Sequence, residues 1–336
     1  MMRSTGPPDA PYSDLHFRRR VGQALRKAKA MRVTWIPPVL ALAWGLNWPA
    51  VKTMLTVLPP FAMRVMGLGL GALLLLALAA AQRRPLAPPR GGWGFVVIGG
   101  LLTIGLFNIC TSFAQLATST ARAAVLTFTF PMMSAALAWG VLGERLDRRG
   151  ALALAVGGLG VAVLALPVIQ RLTAPGPLPP LAGFLLPLAA ALTWSIGTVA
   201  TKRWPPVGDR MVLTAWQLLV GACLTGVGSL LVGETVPRHW PLPVVVAMVF
   251  HVLIATMVAY VLWYRLLAHV SATVASITTL AVPVVGVLGA MALVGERPSA
   301  ADWLGFVLVL AGATLAALRR APPAAPAASA HSASTG

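Results

Sequence analysis

Asn47, Asn108 and His251 each stand inside a long apolar stretch, where a polar side chain facing lipid would be costly. Such groups hold solutes. An amide offers two donors and an acceptor, and histidine is the side chain whose ordinary titration falls near neutrality. Thr127, Thr129, Thr198, Thr278 and Thr279 add hydroxyls in similar stretches, and Trp44, Trp194, Tyr260, Trp263 and Tyr264 add aromatic faces. Together they describe an aromatic-walled cavity suited to a modest-sized amphipathic solute. A lone threonine in such a stretch more often bonds its own helix, so the two asparagines carry more of this reading.

The eight acids, Asp9, Asp14, Glu144, Asp147, Asp209, Glu234, Glu296 and Asp302, all fall outside the deep parts of the apolar stretches. No buried carboxylate is available to carry a coupled proton, which leaves passive or exchange transport, or coupling through His251. Metal-assisted chemistry would want paired carboxylates, and no Asp-x-Asp occurs. No catalytic residue, metal site or cofactor is expected.

The elements that must position these side chains follow from composition. Hydrophobic residues make up 58% of the chain and charged residues 10%, against about 25% charged in a soluble domain. Proline, glycine and charge divide the chain into ten apolar segments, 33–58, 61–81, 93–117, 120–142, 150–170, 181–203, 210–232, 242–267, 271–294 and 301–318. Most approach the length of about 20 residues that a spanning helix needs. Barrel strands would be shorter and alternating, so the expected fold is an all-α polytopic membrane protein of ten transmembrane helices. A basic tail (1–32) precedes them and an Ala/Pro/Ser-rich tail (321–336), expected to be disordered, follows.

The net charge of +18 invites a nucleic-acid reading, but the basic residues sit in the gaps between apolar runs rather than on one face. With the N-terminus in the cytoplasm, the inner gaps hold twelve basic residues and the outer gaps three, Arg171, Arg238 and Arg297. That is a positive-inside pattern, with both termini cytoplasmic and nucleic acid excluded. The first segment reads as a retained helix, since no compact apolar run with a cleavage site follows the basic tail. Cys110 and Cys223 read as small buried hydrophobes. Lys52, Arg64 and Arg122 lie toward outer helix ends; they either snorkel to the interface or form a vestibule attractive to anions.

One phrase occurs twice. Gly143-Glu144-Arg145 and Gly295-Glu296-Arg297 are 152 residues apart, and the same offset pairs Pro131 with Pro283, Asp147 with Ser299 and Gly160 with Gly312. Upstream, "LAWGLNWPAVK" and "LTWSIGTVATK" align at an offset of 150, pairing Trp44 with Trp194 and Lys52 with Lys202. A duplicated unit with an odd number of spans re-enters the membrane from the other side. The expectation is two inverted-topology five-helix repeats, which can open first one way and then the other around a midplane site. Asp147 and Ser299 stand where N-caps belong, and Ser299 to Asp302 resembles a capping box. Glu144 and Glu296 either sit near those helix starts or pair with the adjacent arginine. Pro131 and Pro283 kink their helices, as gates or as static packing features.

A doubled five-span unit with proline inside its fourth helix, Gly-Glu-Arg at that helix's end and a glycine-bearing fifth helix resembles the EamA family of the drug/metabolite transporter superfamily. "VLWYRLLAHVSATVASITTLAVPV" is similar to that family's approach to the ninth helix, and "STARAAVL" departs from it in carrying Arg122. The resemblance covers about 33–318, as a first repeat (33–170) and a second (181–320). It implies a secondary transporter of a small metabolite, an amino acid or related solute moved by alternating access, in the direction of export, in the bacterial inner membrane. The implied partners are the solute and the bilayer, and the fold leaves room for a homodimer. A flippase for an anionic lipid or lipid-linked head group is the alternative; a membrane-embedded enzyme fits less well.

Overall fold

The computed structural model describes residues 35–143, 147–173, 181–200, 204–267 and 279–318. Glu144, Thr278, the side chain of Tyr264 and both tails lie outside the described residues. Regular structure among the described residues is helical. It comprises α1 (Ile36–Met54), α2 (Pro60–Ala81), α3 (Arg90–Ala117) and α4 (Thr120–Thr127, continued by Phe130–Leu142). Then come α5 (Arg148–Thr173), α6 (Ala182–Ala200), α7 (Arg210–Leu231) and α8 (Leu242–Val249, continued by Phe250–Val258 and Ala259–Leu267). Last are α9 (Ala281–Val294) and α10 (Ala300–Ala317). Eight of these, α2 to α8 and α10, are long and apolar enough to cross a membrane. The helix α1 carries three prolines and Lys52, α9 is short as described, and neither reaches that mark. Outward-facing residues such as Leu73, Leu166 and Val307 are exposed and apolar, as expected of a multi-pass protein solvated by lipid.

The helix ends follow from local chemistry. Proline occupies the first turn of α1, of α2 and of the second part of α4, where its missing N–H costs nothing. Asp209 caps α7 by accepting the Met211 and Val212 N–H groups at 2.9 and 3.2 Å. Ser299 and Asp302 form a reciprocal capping box at α10. The glycine of each Gly-Glu-Arg ends a helix in the left-handed region, Gly143 at φ 66° after α4 and Gly295 at φ 75° after α9. That conformation favours glycine, which has no Cβ to clash.

Between helices in lipid the hydrophobic effect gives little attraction, so close approach and dispersion must hold them together. The helices α5 and α10 meet along glycines. A Cβ built on Gly312 would lie 2.6 Å from Gly157 Cα, and one on Gly160 would lie 2.6 Å from Val309 N. The two pairs exchange under the 152-residue offset. A like exchange, at offsets of 150 and 152, relates α2 against α8 to α7 against α3: a Cβ on Gly67 would strike His251, and one on Gly99 would strike Gln217. Helices α2 and α7 pack through Leu68, Ala72 and Leu75 against Met211, Ala215 and Leu218.

Two further features were not legible beforehand. The helices α3 and α8 each contain a π-helical stretch, Gly99–Leu106 and Phe250–Val258, at matching positions of the two halves. Such wider turns re-aim side chains and recur at functional sites. In α4 the backbone breaks at Phe128 and Thr129, where the Phe128 N–H is shared between the Ala124 and Val125 carbonyls. Pro131 thus begins a helical segment rather than interrupting one, and Pro283 likewise lies in the first turn of α9, after a turn at Leu280.

Candidate substrate cavity

Side chains from α1 to α4 and α6 to α8, joined by Thr279 and by Val282 of α9, enclose a cavity of about 260 Å³. Helices α5 and α10 stand outside it, packed on each other. The volume falls just under the roughly 300–1,000 Å³ of drug-sized sites, a size for a small metabolite.

Two aromatic groups, each drawing residues from both halves, form much of the wall. Trp44 lies against Tyr260 and Trp263 with ring centroids 6.1 and 5.6 Å away. Trp194, its counterpart, lies against Phe107 and Phe130 at 5.0 and 5.5 Å. The Trp44 indole N–H donates to the Ala255 carbonyl at 3.1 Å, within the π-helical stretch of α8. His251 Nδ1 donates to Asn47 Oδ1 at 2.7 Å, joining α1 to α8; Nε2 is buried and without a partner. The Asn108 amide donates to the Ile104 carbonyl at 2.8 Å, inside its own helix.

The structure therefore brings Trp44, Asn47, Asn108, Trp194, His251, Tyr260, Trp263 and Thr279 together on one cavity. It does not bring Thr127 or Thr198 there. Thr127 is buried away from the wall, and Thr198 is exposed, donating to the Trp194 carbonyl of its own helix. The Thr129 hydroxyl likewise donates locally, to the Leu126 carbonyl.

The polar end of the cavity is what the residues above did not announce. Arg64, only 3% exposed, donates from Nε to Ser112 Oγ at 2.7 Å and from Nη2 to Thr111 Oγ1 at 3.4 Å. It lines the cavity rather than reaching for the interface. Gln115, 1% exposed, stands nearby with Oε1 unpartnered, while its backbone carbonyl accepts from Lys52 Nζ. A signal for this end existed. Asn108, Thr111, Ser112 and Gln115 follow the i, i+3, i+4, i+7 spacing of one helix face.

The second Gly-Glu-Arg has a use beyond its glycine. The Glu296 carboxylate reaches not α10 beside it but the start of α4, accepting the Thr120 and Ala121 N–H groups at 2.6 and 3.0 Å. Arg122 Nε donates to Asp302 Oδ1 at 2.5 Å, tying α4 to α10 a second time. Glu296, Arg122 and Asp302 line a crevice at that end. The corresponding first copy centres on Glu144, outside the described residues, but Asp147 caps α5 by accepting the Gly150 N–H at 2.9 Å.

A helical membrane protein with a solute-sized cavity between capped helices is built as a membrane transporter. The chain belongs to the EamA-like transporter family, whose signature matches residues 38–166 and 181–318, within the drug/metabolite transporter superfamily. It is 25% identical over 274 residues to the uncharacterized transporter YoaV of Bacillus subtilis, covering 81% of this chain and 92% of that one. It is 26% identical over 290 residues to a probable amino-acid metabolite efflux pump of Escherichia coli, covering 82% and 91%. A solved crystal structure superposes with a TM-score of 0.58 over 85% of this chain and 97% of that one, at 22% identity, a likeness of fold.

Proposed function

We propose that this chain is a secondary transporter that moves a small metabolite, an amino acid or related amphipathic solute, across the bacterial inner membrane by alternating access, in the direction of export. Its two five-helix repeats, 33–170 and 181–320, have inverted topology and make ten spans in all, with both termini cytoplasmic. The observation that carries the reading is a cavity shared by both halves, with Trp44 and Trp194 at equivalent positions on its walls. Reciprocal contacts support the inversion. The Glu234 carboxylate, just past α7, accepts the Phe61 and Ala62 N–H groups at the start of α2, while Arg84, just past α2, pairs with Asp209 at the start of α7. The α1–α2 junction lies at one end of the helices and residue 84 at the other, so the exchange swaps ends.

The gate residues are Glu296 and Ser299 at one end and Glu144 and Asp147 at the other, with Pro131 and Pro283 as hinges beside the cavity. The efflux-pump relatives favour an amino-acid metabolite and the outward direction. Purified protein in liposomes, screened with radiolabelled solutes with and without counter-substrate inside, tests this. Saturable uptake of amino-acid-sized solutes is expected; movement of lipid-linked substrates alone would replace the reading with a flippase.

A further inference from the structure

We infer that Arg64 is a carboxylate anchor, and that the solute is a small monocarboxylate whose apolar, preferably aromatic body rests between the Trp44 and Trp194 groups. The inference rests on the cavity being the transport site. A guanidinium brings five N–H donors and a positive charge, and burying it without a counter-ion is costly. Arg64 is 3% exposed and meets only hydroxyls, Ser112 Oγ and Thr111 Oγ1.

Every described acid is committed elsewhere. Asp147 caps α5, Asp209 holds α7 and Arg84, Glu234 holds α2, Glu296 holds α4, and Asp302 holds Arg122 and Ser299. No carboxylate among the described residues lies within ion-pair distance of Arg64. Its surplus donors and charge face the cavity that it lines, so the matching charge must come from the solute. A carboxylate meets the flat guanidinium fork with two parallel hydrogen bonds. A phosphate dianion would need more positive charge than the cavity wall offers, since among the described residues Arg64 is the one lysine or arginine that lines it and Lys52, bonded to the Gln115 carbonyl, does not. Gln115 Oε1, buried and unpartnered, can accept one further donor from the solute. Arg64 has no equivalent in the second half, where Thr214 occupies the matching position, so the solute binds in one orientation.

The test uses the full-length protein and four probes sharing one ring: phenylalanine, 3-phenylpropionate, phenylalaninamide and phenethylamine, with binding read by calorimetry and by ligand-induced shift in melting temperature. The two carboxylates should bind roughly ten- to hundredfold more tightly than the two compounds lacking one. Arg64→Gln should erase the difference and Arg64→Lys should restore part of it, both variants having first been matched to the parent by size-exclusion profile. Phenyl phosphate should bind no better than the amide, and carboxylate binding should be the same in vesicles with and without phosphatidylserine, which separates a free solute from a lipid head group. Equal binding of acid and amide, a preference surviving in Arg64→Gln, or binding of no carboxylate would overturn the anchor. The transporter reading falls separately, only if no solute of the liposome screen is moved.

Discussion

Glu296 and Thr120, 176 residues apart in sequence, meet through a 2.6 Å hydrogen bond in which the carboxylate accepts the backbone N–H. The contact fastens the end of α9 to the beginning of α4. It satisfies donors that every helix start leaves orphaned and places negative charge at the positive end of the helix dipole.

Replacing Glu296 with Gln keeps the shape and removes the charge. That end should then open more easily by about 1–2 kcal/mol. A cysteine introduced at Thr118, with Cys110 and Cys223 replaced by serine, should be labelled several-fold faster by a membrane-impermeant maleimide. An unchanged labelling rate would reduce Glu296 to a static cap.

The α5–α10 seam should tolerate no bulk. Gly160→Leu and Gly312→Leu would each drive a side chain into the partner helix, at about 1–3 kcal/mol or more. Because the two sites exchange under the repeat, their losses in melting temperature should be alike. A Cβ at Gly158 meets nothing within 4 Å, so Gly158→Leu serves as the control and should leave stability near the parent.

Loss of the tryptophan at the centre of either aromatic group should weaken the solute site. Trp44→Ala and Trp194→Ala are each expected to raise the solute Kd about tenfold. Thr198→Ala, one turn beyond Trp194 but exposed, should leave it unchanged. Competition binding with a radiolabelled substrate reads all three, and an effect at Thr198 matching that at Trp194 would contradict the cavity assignment.

His251 holds Asn47 across the α1–α8 contact, and that structural bond, rather than proton exchange, is its expected service. Glutamine can still donate to Asn47. Transport by His251→Gln should therefore keep the parent's ratio of rates at two pH values. His251→Leu leaves Asn47 Oδ1 unpaired and should cost about 1–3 kcal/mol, seen as a lowered melting temperature. A pH dependence that disappears in His251→Gln would instead make this residue the coupling group.

Long apolar runs were enough to mark a helical membrane protein, because a bilayer demands such runs wherever backbone crosses it. The helix ends of the twice-written phrase were legible for a similar reason. Gly143 and Gly295 must adopt positive φ and Ser299 must cap a helix, and few residue types do either. The capping box at Ser299 and Asp302 was readable to the residue, since all its bonds are local. Glu296 was not: its partner, the start of α4, lies in the other half of the chain, and nothing near Glu296 in sequence points there.

Among polar residues the dividing line is the same. Sequence by itself determined which side chains could not face lipid, and so nominated Trp44, Asn47, Asn108, Trp194 and His251, all of which share the cavity. Only the tertiary structure decided that Thr198 is exposed, that Thr127 is off the wall, and that Arg64 turns inward to Ser112 instead of outward to the interface. A long flexible cation four residues into a helix can go either way at similar cost. Which way it goes depends on whether neighbouring helices offer hydroxyls and space, and that is a property of packing between distant segments.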